Sequence, residues 1–146
     1  MRAQAAFIVL GTVIGLAGLS RVAFGGEAPE GAGVMTEQLA VTAQSLGQAL
    51  PQKVDDALTL SSVSADGLIL TYHYKFTDPA VKAGERVAEL NNRNLAQSCH
   101  HPGMRQMMKV FDVAFVYSYA PYSGDAPIDE KIDEKACIAY DQSRWK

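Results

Sequence analysis

Two stretches decide the fold: Leu68-Ile69-Leu70-Thr71-Tyr72-His73-Tyr74-Lys75-Phe76 and Phe111-Asp112-Val113-Ala114-Phe115-Val116-Tyr117-Ser118-Tyr119. In the first, Leu68, Leu70, Tyr72, Tyr74 and Phe76 fall on one face. Ile69, Thr71, His73 and Lys75 fall on the other. A period of two over nine residues is the pattern of a half-buried strand, because successive side chains of a strand leave on opposite sides. The second stretch repeats it. Phe111, Val113, Phe115, Tyr117 and Tyr119 share one face; Asp112, Ala114, Val116 and Ser118 share the other.

Outward from the first strand, Ala65-Asp66-Gly67 is a turn signal, since glycine accepts the positive φ that tight turns need. Val54 to Val63, rich in Leu, Val, Thr and Ser, reads as the partner strand of a β-hairpin. Before it, Leu39, Ala43, Leu46 and Leu50 recur at helical spacing, Thr36 is a capping residue and Pro51 is a stop. This predicts a first helix over 36–49.

After Phe76, Asp78-Pro79 reads as a cap followed by proline at the first helical position. It predicts a second helix reaching Cys99, with Val81, Gly84, Ala88, Asn91, Leu95 and Cys99 on its buried face. Pro102 opens a short third helix, 102–109. Beyond the second strand, Pro121 to Pro127 is a turn. The tetrad Ile-Asp-Glu-Lys then occurs twice in tandem, from Ile128 and from Ile132. Its period of four suits a helix. Its charged residues also suit a protected edge strand, and the preceding turn and short length favour a strand over 128–136. Asp141 to Lys146 reads as a tail.

The expected order is therefore α-β-β-α-α-β-β. It describes a two-layer α+β domain, a four-stranded antiparallel sheet of two hairpins with two to three helices on one face. The chain has 146 residues, 48% of them hydrophobic and 20% charged, which is one globular domain's worth.

The first residues differ from the rest. After Arg2, Ala5 to Ser20 is an uncharged apolar run of a length that suits a signal peptide better than a spanning helix. Ala23-Phe24-Gly25 places small residues where a signal peptidase reads. The expectation is a signal peptide over 1–25, or an inner-membrane anchor at 5–20 if Arg21 prevents cleavage. Residues 26–34 (GEAPEGAGV) form a flexible linker, and 35–146 the domain. The address is periplasmic or secreted. Cleavage removes Arg2 and Arg21 and no acid, leaving 11 of 13 basic residues against all 16 acids, net −5. No basic concentration points to nucleic acid, and a membrane enters only through an uncleaved N-terminus.

An exported chain meets an oxidising compartment, so its two cysteines, Cys99 and Cys137, are expected to pair. Closing that loop stabilises the fold by about 4 kcal/mol on the chain-entropy account.

The chemistry-bearing motifs are few. Cys99-His100-His101-Pro102-Gly103-Met104 through Met108 groups imidazoles with thioethers. Met104, Met107 and Met108 have the spacing of a buried helical stripe. The alternative is a periplasmic copper site using His100, His101, Met104 and Met107, ligands that suit soft metals. No H-E-x-x-H, G-x-S-x-G or phosphate-cradling loop occurs, so neither an enzyme nor a cofactor is expected. His73 reads as surface, and the carboxylates of 129–134 alternate with lysines as a solvated strand does.

The aromatic set is more informative. Tyr72, Tyr74, Phe76, Phe115, Tyr117, Tyr119 and Tyr122 form one layer if the two long strands are neighbours. Most of it is core. Tyr117, Tyr119 and Tyr122, near a strand end, are expected to reach a rim and bind another exported or envelope protein.

Leu50-Pro51-x-x-Val54-Asp55, Leu70-x-Tyr72-x-Tyr74, Asn94 to Cys99, Pro102-x-x-Arg105, Val116-Tyr117-x-Tyr119 and Cys137 together resemble a group of small, uncharacterised exported proteins of Gram-negative bacteria and their mobile elements. The resemblance spans about residues 48–138 and brings no catalytic residue. It implies the Cys99–Cys137 pair and a periplasmic address. This chain has Phe111-Asp112 where that group has a glycine after the short helix, and it adds the doubled Ile-Asp-Glu-Lys segment.

Overall fold

The structure, a computed structural model, describes residues 30–145. The elements are α1 (Ala32–Gly47), β1 (Gln52–Asp55), β2 (Leu58–Asp66), β3 (Ile69–Phe76), α2 (Ala83–His100), α3 (Pro102–Phe111), β4 (Ala114–Ala120), β5 (Ile128–Ile132) and α4 (Glu134–Ser143). The α+β class is as expected. The sheet is not: it has five strands in the order β1-β2-β3-β4-β5, and β3 and β4 run parallel.

The parallel pair follows from the length of the connection. A parallel neighbour needs a crossover of a dozen or more residues. α2 has 18 residues, about 27 Å, and β3 has 8, about 26 Å, so the helix carries the chain back along the whole strand. α3 then delivers it to the beginning of β3, where Ala114 N–H donates to Leu68 O at 2.9 Å. The two long strands are neighbours, but not in the antiparallel sense expected from two hairpins.

The extra strand comes from the stretch expected to be one strand over 54–63. The Asp55 carboxylate accepts from Ala57 N–H at 2.8 Å, closing a turn that splits the run into β1 and β2. A bulge between Leu60 and Ser62 then shifts the phase of β2 by one residue. Leu58 and Leu60 before it, and Val63 and Ala65 after it, lie opposite the Phe76–Leu70 face of β3.

The helix boundaries move for local reasons. α1 starts at Ala32, inside the expected linker, and Thr36 lies within it, its hydroxyl donating to Ala32 O. Asp78 does not cap α2. Its carboxylate accepts from Ala80 N–H in a turn, and the helix begins at Ala83. The buried face of α2 is Val87, Leu90, Asn94, Ser98 and Cys99. Gly84 and Ala88, expected inside, are exposed, and Asn91 and Leu95 are half-buried. The doubled tetrad is both strand and helix: Ile128–Ile132 pairs with β4, and Asp133 caps α4 by accepting from Ala136 N–H at 2.9 Å. Residues 141–143 of the expected tail belong to α4.

α1 packs chiefly on β2, while α2 lies on the β4–β5 side and meets α3 and α4. The core between helices and sheet holds Leu39, Leu58, Leu70, Phe76, Val87, Leu90, Met108, Phe115, Tyr119 and Ile132. Cys99 and Cys137 form the expected disulfide. Because Cys137 lies in α4, the bond joins two helices rather than α2 and the last strand. Among the described residues no helix is long and apolar enough to cross a membrane. The expected signal peptide or anchor lies outside the described residues.

Candidate functional site

The parallel register sets Tyr72 opposite Tyr117 and Tyr74 opposite Tyr119. Their rings stack face to face across the strands, with centroids 5.3 and 5.1 Å apart. Tyr74–Tyr117 at 6.5 Å and Phe76–Tyr119 at 6.3 Å join the pairs into one ladder. Such contacts contribute roughly 0.5–1.5 kcal/mol each beyond the area they bury.

The two halves of the ladder differ in what covers them. α2 lies over β4, and its buried polar side chains meet the β4 phenols. Asn94 Nδ2 donates to Tyr119 Oη at 2.7 Å, and Ser98 Oγ shares a hydrogen bond with Tyr117 Oη at 3.1 Å. Tyr119 is 1% and Tyr117 9% exposed. Both are therefore core residues, not the rim expected of them: their hydroxyls are spent inside, and α2 stands between them and solvent. Of the three expected rim tyrosines only Tyr122, 57% exposed, lies at the surface. It lines a cleft of about 380 Å³ with Pro79, Val81, Pro121 and Ile128, where β3 and β4 end.

Tyr72 and Tyr74 lie on β3, the strand next to β4. They are half-buried, and their hydroxyls have no hydrogen-bond partner among the described residues. Burial, with the neighbouring phenols, pushes both pKa values up to about 12. Arg93 of α2 is close enough to act on Tyr74 and Tyr119 electrostatically. It is exposed and makes no ion pair among the described residues. Near the Phe76 end, Arg86 links α2 to β1 through Asp55 at 3.1 Å and also holds Glu89 at 2.6 Å. Half-buried Tyr72 and Tyr74, stacked on the β4 rings, therefore have the exposed Arg93 guanidinium near Tyr74. Tyr and Arg are the residue types that dominate protein-binding surfaces.

The residues of the copper alternative face different ways. His101 Nδ1 accepts from Met104 N–H at 3.3 Å and caps α3. His100 Nε2 accepts from Arg144 Nη1 at 3.0 Å and packs edge-on against Tyr140. Met104 and Met107 are half-buried against the core, beside fully buried Met108. Among the described residues no three His, Cys, Asp or Glu side chains converge as metal ligands do. On the open face of the sheet, His73 Nε2 is 2.8 Å from Ser64 Oγ, and Asp129 accepts from Ser118.

The sequence pointed to the aromatic layer but not to its two halves. Asn94 and Ser98, an i, i+4 polar pair on a buried helix face, were the available signal. Nothing in the spacing marks Arg93.

No family model matches the chain, and no curated protein matches it. Among solved structures it is similar to a protein of Pseudomonas aeruginosa assigned as secreted (TM-score 0.59, 18% identity, covering 70% of this chain and 92% of that one). It is also similar to a type 2 secretion system pilotin of Vibrio vulnificus (TM-score 0.59, 15% identity, 74% and 96% covered). A type II secretion system pilotin of Vibrio cholerae is similar at TM-score 0.56, with 15% identity over the same shares. At these identities what is shared is the fold. All three come from Gram-negative bacteria.

Proposed function

We propose that this chain is an exported, non-enzymatic accessory protein that holds a segment of another envelope protein over Tyr72 and Tyr74 of β3, which would form the floor of a docking trough. The observation that carries the reading is the contrast within one ladder. Tyr117 and Tyr119 are buried and hydrogen-bonded by α2, whereas Tyr72 and Tyr74 are half-buried and their hydroxyls have no partner among the described residues. A row of half-buried rings beside an exposed guanidinium suits an amphipathic helix, whose apolar stripe covers the rings and whose polar flank reaches the hydroxyls and Arg93. The fold shared with two secretion-system pilotins supports an accessory role in the envelope, by analogy of fold.

The test compares the wild-type domain with Tyr72→Ser/Tyr74→Ser as bait for periplasmic and envelope extracts. The wild type should retain one protein in stoichiometric amount, and the double variant should lose it. Equal retention by both would place the partner elsewhere.

A further inference from the structure

The end of α2 and the end of α4 enclose a second cleft. Its volume is about 550 Å³, and His100, Asp141, Arg144 and Trp145 line it. That size is within the roughly 300–1,000 Å³ of small-molecule sites.

The cleft's charges are not mutually cancelled. Arg105 takes Asp141 through Nη1 at 3.0 Å and Glu134 through Nε at 2.8 Å, so the carboxylate that lines the cleft is already paired. Arg144 makes no ion pair among the described residues. Among the described residues its one side-chain hydrogen bond goes to His100 Nε2 at 3.0 Å. The Arg144 Cζ lies 5.9 Å from the centroid of the Tyr140 ring, and His100 meets that ring edge-on at 5.7 Å. Tyr140 and His100 therefore steady the guanidinium while leaving donors unused. Beside it Trp145, the chain's only tryptophan, is 89% exposed.

An available planar cation next to an uncovered indole matches one ligand chemistry. A carboxylate takes the free guanidinium edge in a two-point contact, and an attached aromatic ring lies on the indole. We propose that this cleft binds small aromatic carboxylates through Arg144 and Trp145. The site is separate from the trough and does not depend on the docking proposed there.

Phenylacetate is the probe, and Trp145 fluorescence reads it directly. Titration should give a saturable change, with a Kd of about 1 mM or below. Arg144→Gln, which leaves the reporter in place, should weaken binding at least about tenfold, the effect of losing a charged hydrogen bond. Acetate and inorganic phosphate should bind at least about tenfold more weakly than phenylacetate. No saturation by about 10 mM, or an unchanged Kd in Arg144→Gln, would overturn the site. Equal binding of acetate or phosphate would overturn its aromatic class. Calorimetric titration repeats the measurement without relying on the indole.

Discussion

Asn94 of α2 donates from Nδ2 to the Tyr119 hydroxyl of β4 at 2.7 Å, inside a core where Tyr119 is 1% exposed. The bond fixes which face of α2 turns inward, and so which tyrosines are sealed and which are left for the trough. Asn94→Ala strands a buried phenol and should cost about 1–3 kcal/mol; Tyr119→Phe strands the amide instead and should cost about as much. Urea unfolding of the two single variants and the double variant measures the coupling, which should fall within about 0.5–3 kcal/mol. Strict additivity would mean that the bond does not form.

Tyr72, Tyr74 and Tyr119 have pKa values pushed up to about 12, burial being the first cause in each. An unfolded chain ionises tyrosine near about pH 10. Folding therefore favours the neutral phenols, and their contribution is complete below pH 10 and declines as pH rises towards 12. Alkaline unfolding, followed by helical circular dichroism, should fall in that window together with the appearance of phenolate absorbance. Complete titration near pH 10 with the fold intact would contradict the buried ladder.

Asp112 ends α3 at φ 56°, the left-handed conformation in which glycine is unstrained. Asp112→Gly should therefore stabilise the domain by about 0.5–1 kcal/mol, and Asp112→Val should destabilise it by more than that. Thermal unfolding of the two variants decides the sign.

The Cys99–Cys137 bond ties α2 to α4. Cys99→Ser/Cys137→Ser should lose up to about 4 kcal/mol. The loss should show first as faster amide exchange in α4, whose other fastenings among the described residues include the Asp133 cap, the Arg105 pairs, the Arg144–His100 bond and the packing of Tyr140. Exchange that rises first in β5 would put the disulfide's work in the strand instead.

The pattern of residues 68–76 and 111–119 was enough to find the two long strands and their shared aromatic face, because a period of two is written directly in the side chains. It could not give their relative direction, since a strand has the same alternation whether its neighbour runs parallel or not. The information lay in the 83–111 connection, long enough to retrace β3. The second Ile-Asp-Glu-Lys unit defied a single assignment because Asp133 divides it, ending a strand and capping a helix in one step. The buried stripe of α2 was misplaced for a different reason. Apolar periodicity assigns Asn94 and Ser98 to solvent, yet the phenols of β4 hold them inside. Cys99–Cys137 was legible from compartment and count alone. The difference between the β3 and β4 tyrosines was not, because it depends on which of them the Asn94 and Ser98 side chains of α2 reach.

The most direct measurement of the docking trough is site-specific photo-crosslinking in cells that export the protein. A photoreactive residue at Tyr74, on the trough floor, should trap one envelope protein, and the same residue at Thr71, on the opposite face of β3, should trap none. Equal trapping at both positions, or trapping at Thr71 alone, would contradict the trough as the docking site.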